Sequence, residues 1–232
     1  MKKLGIIGAM DVEVAILKEQ MENPVVSTHA GSSFWEGSLC GLPVVVVQCG
    51  VGKVNAALCV QILADIFHVT HIVNTGIAGS LDASLDIGDI AISTDAMYHD
   101  FKVGPFGYAR GQVPGMDVHA FPMDKELQEF AVKACQALDI RYKLGRIVTG
   151  DQFICESAEK EDIVSTVGGI CTEMEGAAIA HAAYRNQLPI LILRAISDKA
   201  DDSATMEYPV FEAQAAKHCA ALTQSLAKAL AQ

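Results

Sequence analysis

The chain has 232 residues with 28 acidic against 17 basic side chains, and its net charge of −11 gives no general attraction for nucleic-acid phosphates or anionic lipid. Apolar residues make up 51%, but the apolar runs VVVV (44–47), HIVNTG (71–76) and LPILIL (188–193) fall far short of the roughly 18 residues of a membrane span. Seven cysteines without a CxxC pair and seven histidines without ligand spacing point to reduced thiols in a cytoplasmic protein with no metal site; no cofactor is expected either.

The opening MKKLGIIGAM has too short an apolar stretch for a signal peptide and runs straight into Asp11 and Glu13. Residues 3–8 therefore read as a first strand, followed by a helix from Asp11 to Met21 on the spacing of Val12, Ala15, Ile16 and Leu17. Two strands are expected around 25–39. VVVVQC has the unbroken apolar character of a strand covered on both faces. Glycines 50 and 52 precede a long apolar-periodic helix, and the chain returns to strand at HIVNTG and GDIAIS. A long loop spans about 98–122, a length that in compact domains marks a functional or partner-packed segment. A helix from Asp124 to about Leu138, a strand at 143–149, a helix from 157, a short strand near 169–172 and a helix over 175–186 follow. PILILRAIS then forms a strand, and an amphipathic helix starts at about 209.

Strands alternating with helices imply an α/β protein whose largely parallel sheet carries helices on both sides, a three-layer sandwich. No repeat, low-complexity segment or linker divides it, so one domain is expected over 1–232.

Ligands of such sheets bind beyond the C-terminal ends of strands. Four segments occupy that place: GAMDVE, NTGIAGS, TGDQFI and SDKAD. GIIGAM lacks the GxGxxG pattern of a dinucleotide turn, and GVGK at 50–53 lacks the spacing of a phosphate-binding loop, so its glycines serve a tight strand-to-helix turn. No GxSxG elbow accompanies Ser197, His99 or His181, and Cys155 reads as a small apolar residue rather than a nucleophile. The acids carry more information. Glu173 and Glu175 bracket Met174 at a helix start, and Asp198 closes an apolar strand. Local sequence leaves two readings for each acid: chemistry, or a structural task such as favouring a helix N-terminus for Asp11 and Glu13, capping for Glu173 and Glu175, and a turn for Asp198.

Taken together and in order, GIIGAMDVEV, GVGKVNAA, NTGIAGSL, YHDF, FGY, PG at 114–115, VTGDQFI, EMEGAAIAH and RAISDKAD resemble the 5′-methylthioadenosine/S-adenosylhomocysteine nucleosidase family over nearly the whole chain. The resemblance implies a phosphorylase/hydrolase-like fold with a central mixed sheet flanked by helices, a homodimer, and a small-molecule nucleoside substrate. It gives Glu13 the activation of the attacking water, Asp198 the protonation of adenine N7, and Glu175 the ribose hydroxyls, with Glu173 and the Met174 backbone beside it. Phe153 matches the stacking face for adenine and Ile154 the backbone that reads its edge, with Ser197 and Ala78 beside the base. Met10, Val51, Met174 and Tyr208 match the wall of the 5′-alkylthio pocket, completed by Phe106 and Pro114 from the neighbouring subunit. Ile77 and Tyr208 depart from the family's common serine and phenylalanine, which bears on 5′-substituent preference.

These roles make chemical sense. Adeninide leaves poorly, and a positioned acid at N7 contributes about 10²–10⁴-fold; burial at an apolar strand mouth helps a carboxyl keep that proton. Anionic Glu13 and Glu175 stabilise the positive charge that develops on the ribosyl ring, a division of labour that glycosidases share. A thioether suits methionine and apolar walls. The rival readings are a phosphorylase of the same superfamily, a 6-amino-6-deoxyfutalosine hydrolase, and a non-catalytic nucleoside-binding protein. Glu13 argues against the first by repelling phosphate, and the presence of all three acids argues against the last.

Overall fold

LGIIG is apolar on both faces and forms β1 (Leu4–Gly8), buried along its whole length, as a strand covered from both sides must be. The computed structural model describes residues 1–201 and 204–231, apart from the side chains of 205–210, 212 and 213. After β1 come α1 (Asp11–Glu19), β2 (Glu22–His29), β3 (Ser32–Leu39), β4 (Leu42–Gln48), α2 (Lys53–Asp65), β5 (His71–Ser80) and β6 (Ile90–Tyr98). A single 3-10 turn at Gly104–Phe106 leads to β7 (Phe121–Pro122), α3 (Lys125–Ala137), β8 (Tyr142–Thr149) and α4 (Ser157–Thr166). β9 (Cys171–Glu173), α5 (Gly176–Arg185), β10 (Ile190–Asp198) and α6 (Ala204–Leu230) complete the order. β6 continues past the apolar GDIAIS run, and α6 begins ahead of the position near 209 that the pattern suggested.

The sheet is mixed and helix-flanked as expected, but it closes on itself rather than forming a simple three-layer sandwich, and only half of its pairings are parallel. Its order is β10-β6-β8-β9-β5-β1-β4-β3-β2, and β10 also pairs with β5. That pairing closes β5, β10, β6, β8 and β9 into a barrel-like ring from which β1, β4, β3 and β2 extend. Among the described residues, five strand pairings are parallel and five antiparallel. The cause of closure lies in β5, which outruns its neighbour. β1 pairs with β5 only from His71 to Asn74. The rest of that edge would leave backbone groups unpaired, and β9 takes it up at Gly79 and Ser80.

Helices α1 and α3 each pack on α6, while α2 packs on α5. The core runs between them and the sheet through residues such as Ile6, Val45, Val73 and Leu191, all fully buried. Parallel pairing sets the C-terminal ends of β1, β5 and β10 side by side. The register of β10 on β5 slips between Ile196 and Asp198, which puts Asp198 opposite Gly79. A bulge of this kind re-aims a side chain. The glycine matters here, because a Cβ at position 79 would lie 2.7 Å from Asp198 Oδ1. Among the described residues no helix is long and apolar enough to cross a membrane.

Candidate active site

Glu13 sits in the first turn of α1, just beyond the end of β1, and is buried. Its Oε2 accepts hydrogen bonds from the backbone N–H groups of Ala9 at 2.6 Å and Met10 at 3.0 Å, and its Oε1 accepts one from Ile77 at 3.0 Å. One carboxyl group thus ties the first strand-to-helix loop to β5. Burial pushes the Glu13 carboxyl above its ordinary value, against the opposing pull of the nearby Arg194 charge and of the three backbone donors.

Arg194, in the middle of β10, is 1% exposed. Its Nη2 donates to Asn74 Oδ1 at 2.6 Å and to Glu173 Oε2, and lies 3.9 Å from Glu175 Oε2. A Cβ at Gly76 would collide with both Arg194 Nη1 and Glu13 Oε1, so the missing side chain makes the room in which these two groups approach. Burial alone would disfavour the guanidinium charge, but the carboxylates of Glu173, Glu13 and Glu175 more than reverse it and hold Arg194 protonated.

Glu173 is engaged inside the fold. Besides Arg194, its Oε2 accepts from the N–H groups of Glu175 at 3.1 Å and Gly176 at 2.7 Å, which satisfies donors at the start of α5, and its Oε1 accepts from Thr149 Oγ1. Glu175 itself faces α2, accepting from Gly52 N–H at 2.8 Å. Burial, together with the negative charge of Glu173, pushes the Glu175 carboxyl up to about 7. Asp198 is 1% exposed. Its Oδ2 accepts from Ser197 Oγ at 2.8 Å and its Oδ1 from Ala200 N–H at 2.8 Å.

Glu13, Glu175 and Asp198 line one cavity of about 470 Å³, whose remaining walls include Met10, Val51, Ile77, Phe153 and Met174. That volume and an apolar lining with a few convergent acids fit a small organic ligand. A recess of about 30 Å³ adjoins it, lined by Ile154 along with Phe153 and Asp198.

The Phosphorylase superfamily profile matches residues 3–228. The chain is 40% identical over 228 residues to the 5′-methylthioadenosine/S-adenosylhomocysteine nucleosidase of Staphylococcus carnosus, covering 98% of this chain and 100% of that one. It is 41% identical to the enzyme of the same name from Halalkalibacterium halodurans, over 91% of each chain. The chain belongs to the 5′-methylthioadenosine/S-adenosylhomocysteine nucleosidase family. Its fold superposes on the nucleosidase of Neisseria meningitidis in complex with methylthio-immucillin-A with a TM-score of 0.96 at 35% identity, covering 99% of this chain and 100% of that one.

In this member of the family, the cavity gathers most of the residues singled out in the sequence. Glu13 and Asp198 line it together with Met10, Val51, Ala78, Phe153, Glu173, Met174, Glu175 and Ser197, and Ile77 adds to the wall. Ile154 is buried in the adjoining recess. Phe106 and Pro114 are exposed on the 99–120 segment and are not among the cavity's walls in this chain. Tyr208 has its side chain outside the described residues. Sequence reasoning passed over Arg194, Asn74 and Gly76. The available signal was a single charge inside the apolar run PILILRAIS, which a buried strand carries only when partners await it.

Proposed function

We propose that this chain hydrolyses the N-glycosidic bond of 5′-methylthioadenosine and S-adenosylhomocysteine, releasing adenine and the 5′-thioribose product. The observation that carries the proposal is the convergence of Glu13, Glu175 and Asp198, three buried carboxyl groups from distant parts of the chain, on one cavity. In this reading Asp198 delivers a proton to adenine N7 as the C1′–N9 bond breaks, so that the base departs neutral. Glu13 takes a proton from the water that attacks C1′. Its own fixing by three backbone N–H groups leaves little freedom for it to drift from the line of attack. Glu175 accepts from the ribose hydroxyls, and the negative charge of the acid pair stabilises the ribosyl cation as it forms. Phe153 offers a face for the base, and Met10, Val51 and Met174 an apolar wall for the thioether.

The composition of the site favours water over phosphate as the nucleophile. Arg194 is the buried cation nearest the acids, and it is engaged by Glu173 and Asn74 rather than standing on the cavity wall. Among the described residues the cavity wall carries carboxylates and no cation, so an incoming phosphate would meet like charge.

The working form in this proposal is a homodimer in which Phe106 and Pro114 of the partner subunit close the 5′ end of the pocket. Phe106 is 80% exposed and Val54 is 72% exposed, a state that large apolar side chains leave on association. Val54 and Leu58 also line a groove of about 550 Å³ between α2 and α5.

Incubation of the purified protein with 5′-methylthioadenosine tests the activity. Free adenine and free 5-methylthioribose are the expected products, and their absence, or the appearance of a sugar phosphate instead, overturns the proposal. Light scattering at activity-assay concentration tests the assembly, where a fully active monomer contradicts it.

A further inference from the structure

Two residues along the chain from Val51 and Phe153 of the cavity wall, three charged side chains meet that no step of the proposed reaction uses. Lys53 Nζ donates to Asp100 Oδ2 at 2.5 Å and lies 3.6 Å from Asp151 Oδ2. Asp100 Oδ2 accepts a second hydrogen bond from the backbone N–H of Asp151 at 3.0 Å, and Asp151 Oδ1 in turn accepts one from the backbone N–H of Lys53 at 2.9 Å. Lys53 Nζ also stands 5.4 Å from the centre of the Tyr98 ring. These residues come from three separate segments: the start of α2, the end of β6 and the turn after β8.

The cluster is the means by which α2 begins. Its first residue follows Gly52, which has a positive φ of 98° and no side chain to cap the helix. The free N–H groups of a helix start need acceptors, and here two carboxylates supply them from far along the chain: Glu175 for Gly52 and Asp151 for Lys53. A Cβ on Gly52 would lie 3.2 Å from Asp151 Oδ1, so the approach is close. The two loops so joined carry the half-exposed apolar residues of the cavity mouth, Val51 at 49% and Phe153 at 43% exposure. Ordinary surface ion pairs contribute little; this one is three-quarters buried on both partners and joins segments that no sheet pairing links directly. Burial pushes the Asp100 carboxyl up, and the Lys53 ammonium with the Asp151 N–H overrides it and holds the group below its ordinary value.

We infer that Lys53, Asp100 and Asp151 form a positioning latch that fixes the Val51 loop to the Phe153 loop and seats the Gly52 N–H on Glu175, setting the grip on both ends of a nucleoside. The inference rests on the function proposed above. The latch touches no reacting atom; it acts through Val51, Phe153 and Glu175.

The test compares Lys53→Met, Asp100→Asn and Lys53→Arg with the unaltered enzyme in kcat, KM for 5′-methylthioadenosine, calorimetric adenine affinity and Tm. With the latch open, KM rises roughly tenfold or more in Lys53→Met and Asp100→Asn, and Lys53→Arg recovers most of the loss. The double variant is no worse than the more damaged single one, because both remove the same link. The acid limb of the kcat/KM profile also moves to higher pH, since Glu175 loses a donor that favours its charged form. Three results overturn the latch: KM within about twofold of the unaltered enzyme in both single variants, additive losses in the double, or an acid limb that stays in place. Adenine binding keeps the two proposals apart. Inactivity of the unaltered enzyme sinks the functional reading, whereas unchanged adenine affinity and KM in an active Lys53→Met protein sink the latch alone.

Discussion

The Oε1 oxygen of Glu13 accepts the backbone N–H of Ile77 at 3.0 Å, which joins the first turn of α1 to the centre of β5. Its other oxygen is held by Ala9 and Met10, so these three donors are backbone amides that no rotamer change can withdraw. Glu13→Gln keeps the shape but turns an N–H donor towards one of those amides and removes the base. It is expected to lose at least about 10²-fold in kcat and about 1–3 kcal/mol in stability. Steady-state kinetics and urea unfolding measure the two losses, and near-normal turnover would remove Glu13 from the mechanism.

Asp198→Asn should likewise cost about 10²-fold or more in kcat with 5′-methylthioadenosine. The loss depends on the leaving group. A riboside whose base departs without protonation should lose less than about tenfold, because proton donation is then no longer the bottleneck. Equal losses on the two substrates would show that Asp198 does not act as the acid.

Glu175 links pH to stability. Its folded value of about 7 lies above its ordinary 4.5, so between these values the native protein binds more protons than the unfolded chain. The stabilisation is complete below about pH 4.5 and is lost as pH rises through about 7. Glu13, also shifted upward, acts in the same direction. Glu175→Gln is therefore expected to flatten the fall of Tm across this window relative to the unaltered protein. Parallel Tm profiles for the two proteins would contradict the account.

Arg194 and Glu173 form a buried ion pair, whose loss by halves is costly. Arg194→Met leaves the Glu173 carboxylate without its cation and should destabilise by about 3–5 kcal/mol. Arg194→Met combined with Glu173→Leu removes both charges and should restore part of that loss despite the backbone and Thr149 donors left without an acceptor. Chemical denaturation of the single and double variants decides, and a double variant no more stable than Arg194→Met is the contrary result.

The thioether wall predicts selectivity. Met10, Val51 and Met174 offer a 5′-hydroxyl few partners, so adenosine should have a kcat/KM about 10–200-fold below that of 5′-methylthioadenosine. Equal values would refute the assignment of that wall.

Much of this was legible before any coordinates. The apolar runs and turn residues gave the strands and helices in order, and the acids at strand ends pointed to the site because open ends of parallel strands are where such sheets hold ligands. Ring closure was not legible. Periodicity identifies β5 as a strand, but its pairing with β9 depends on β5 outrunning β1, a fact about relative length and bend. Arg194 was hidden for a related reason: it reads as one charge in an apolar strand until the fold brings Asn74, Glu173 and the open space at Gly76 around it. The roles of Glu173 and Glu175 also separated only in three dimensions, since both stand beside a helix start and only one keeps its oxygens largely on the fold's own donors.

Turnover of 5′-methylthioadenosine in ¹⁸O-labelled water with phosphate present decides whether water or phosphate attacks C1′ in this pocket of three acids. Attack by water leaves one labelled oxygen at C1 of free 5-methylthioribose, at a rate that phosphate does not change. An unlabelled sugar 1-phosphate, formed only when phosphate is supplied, would contradict it.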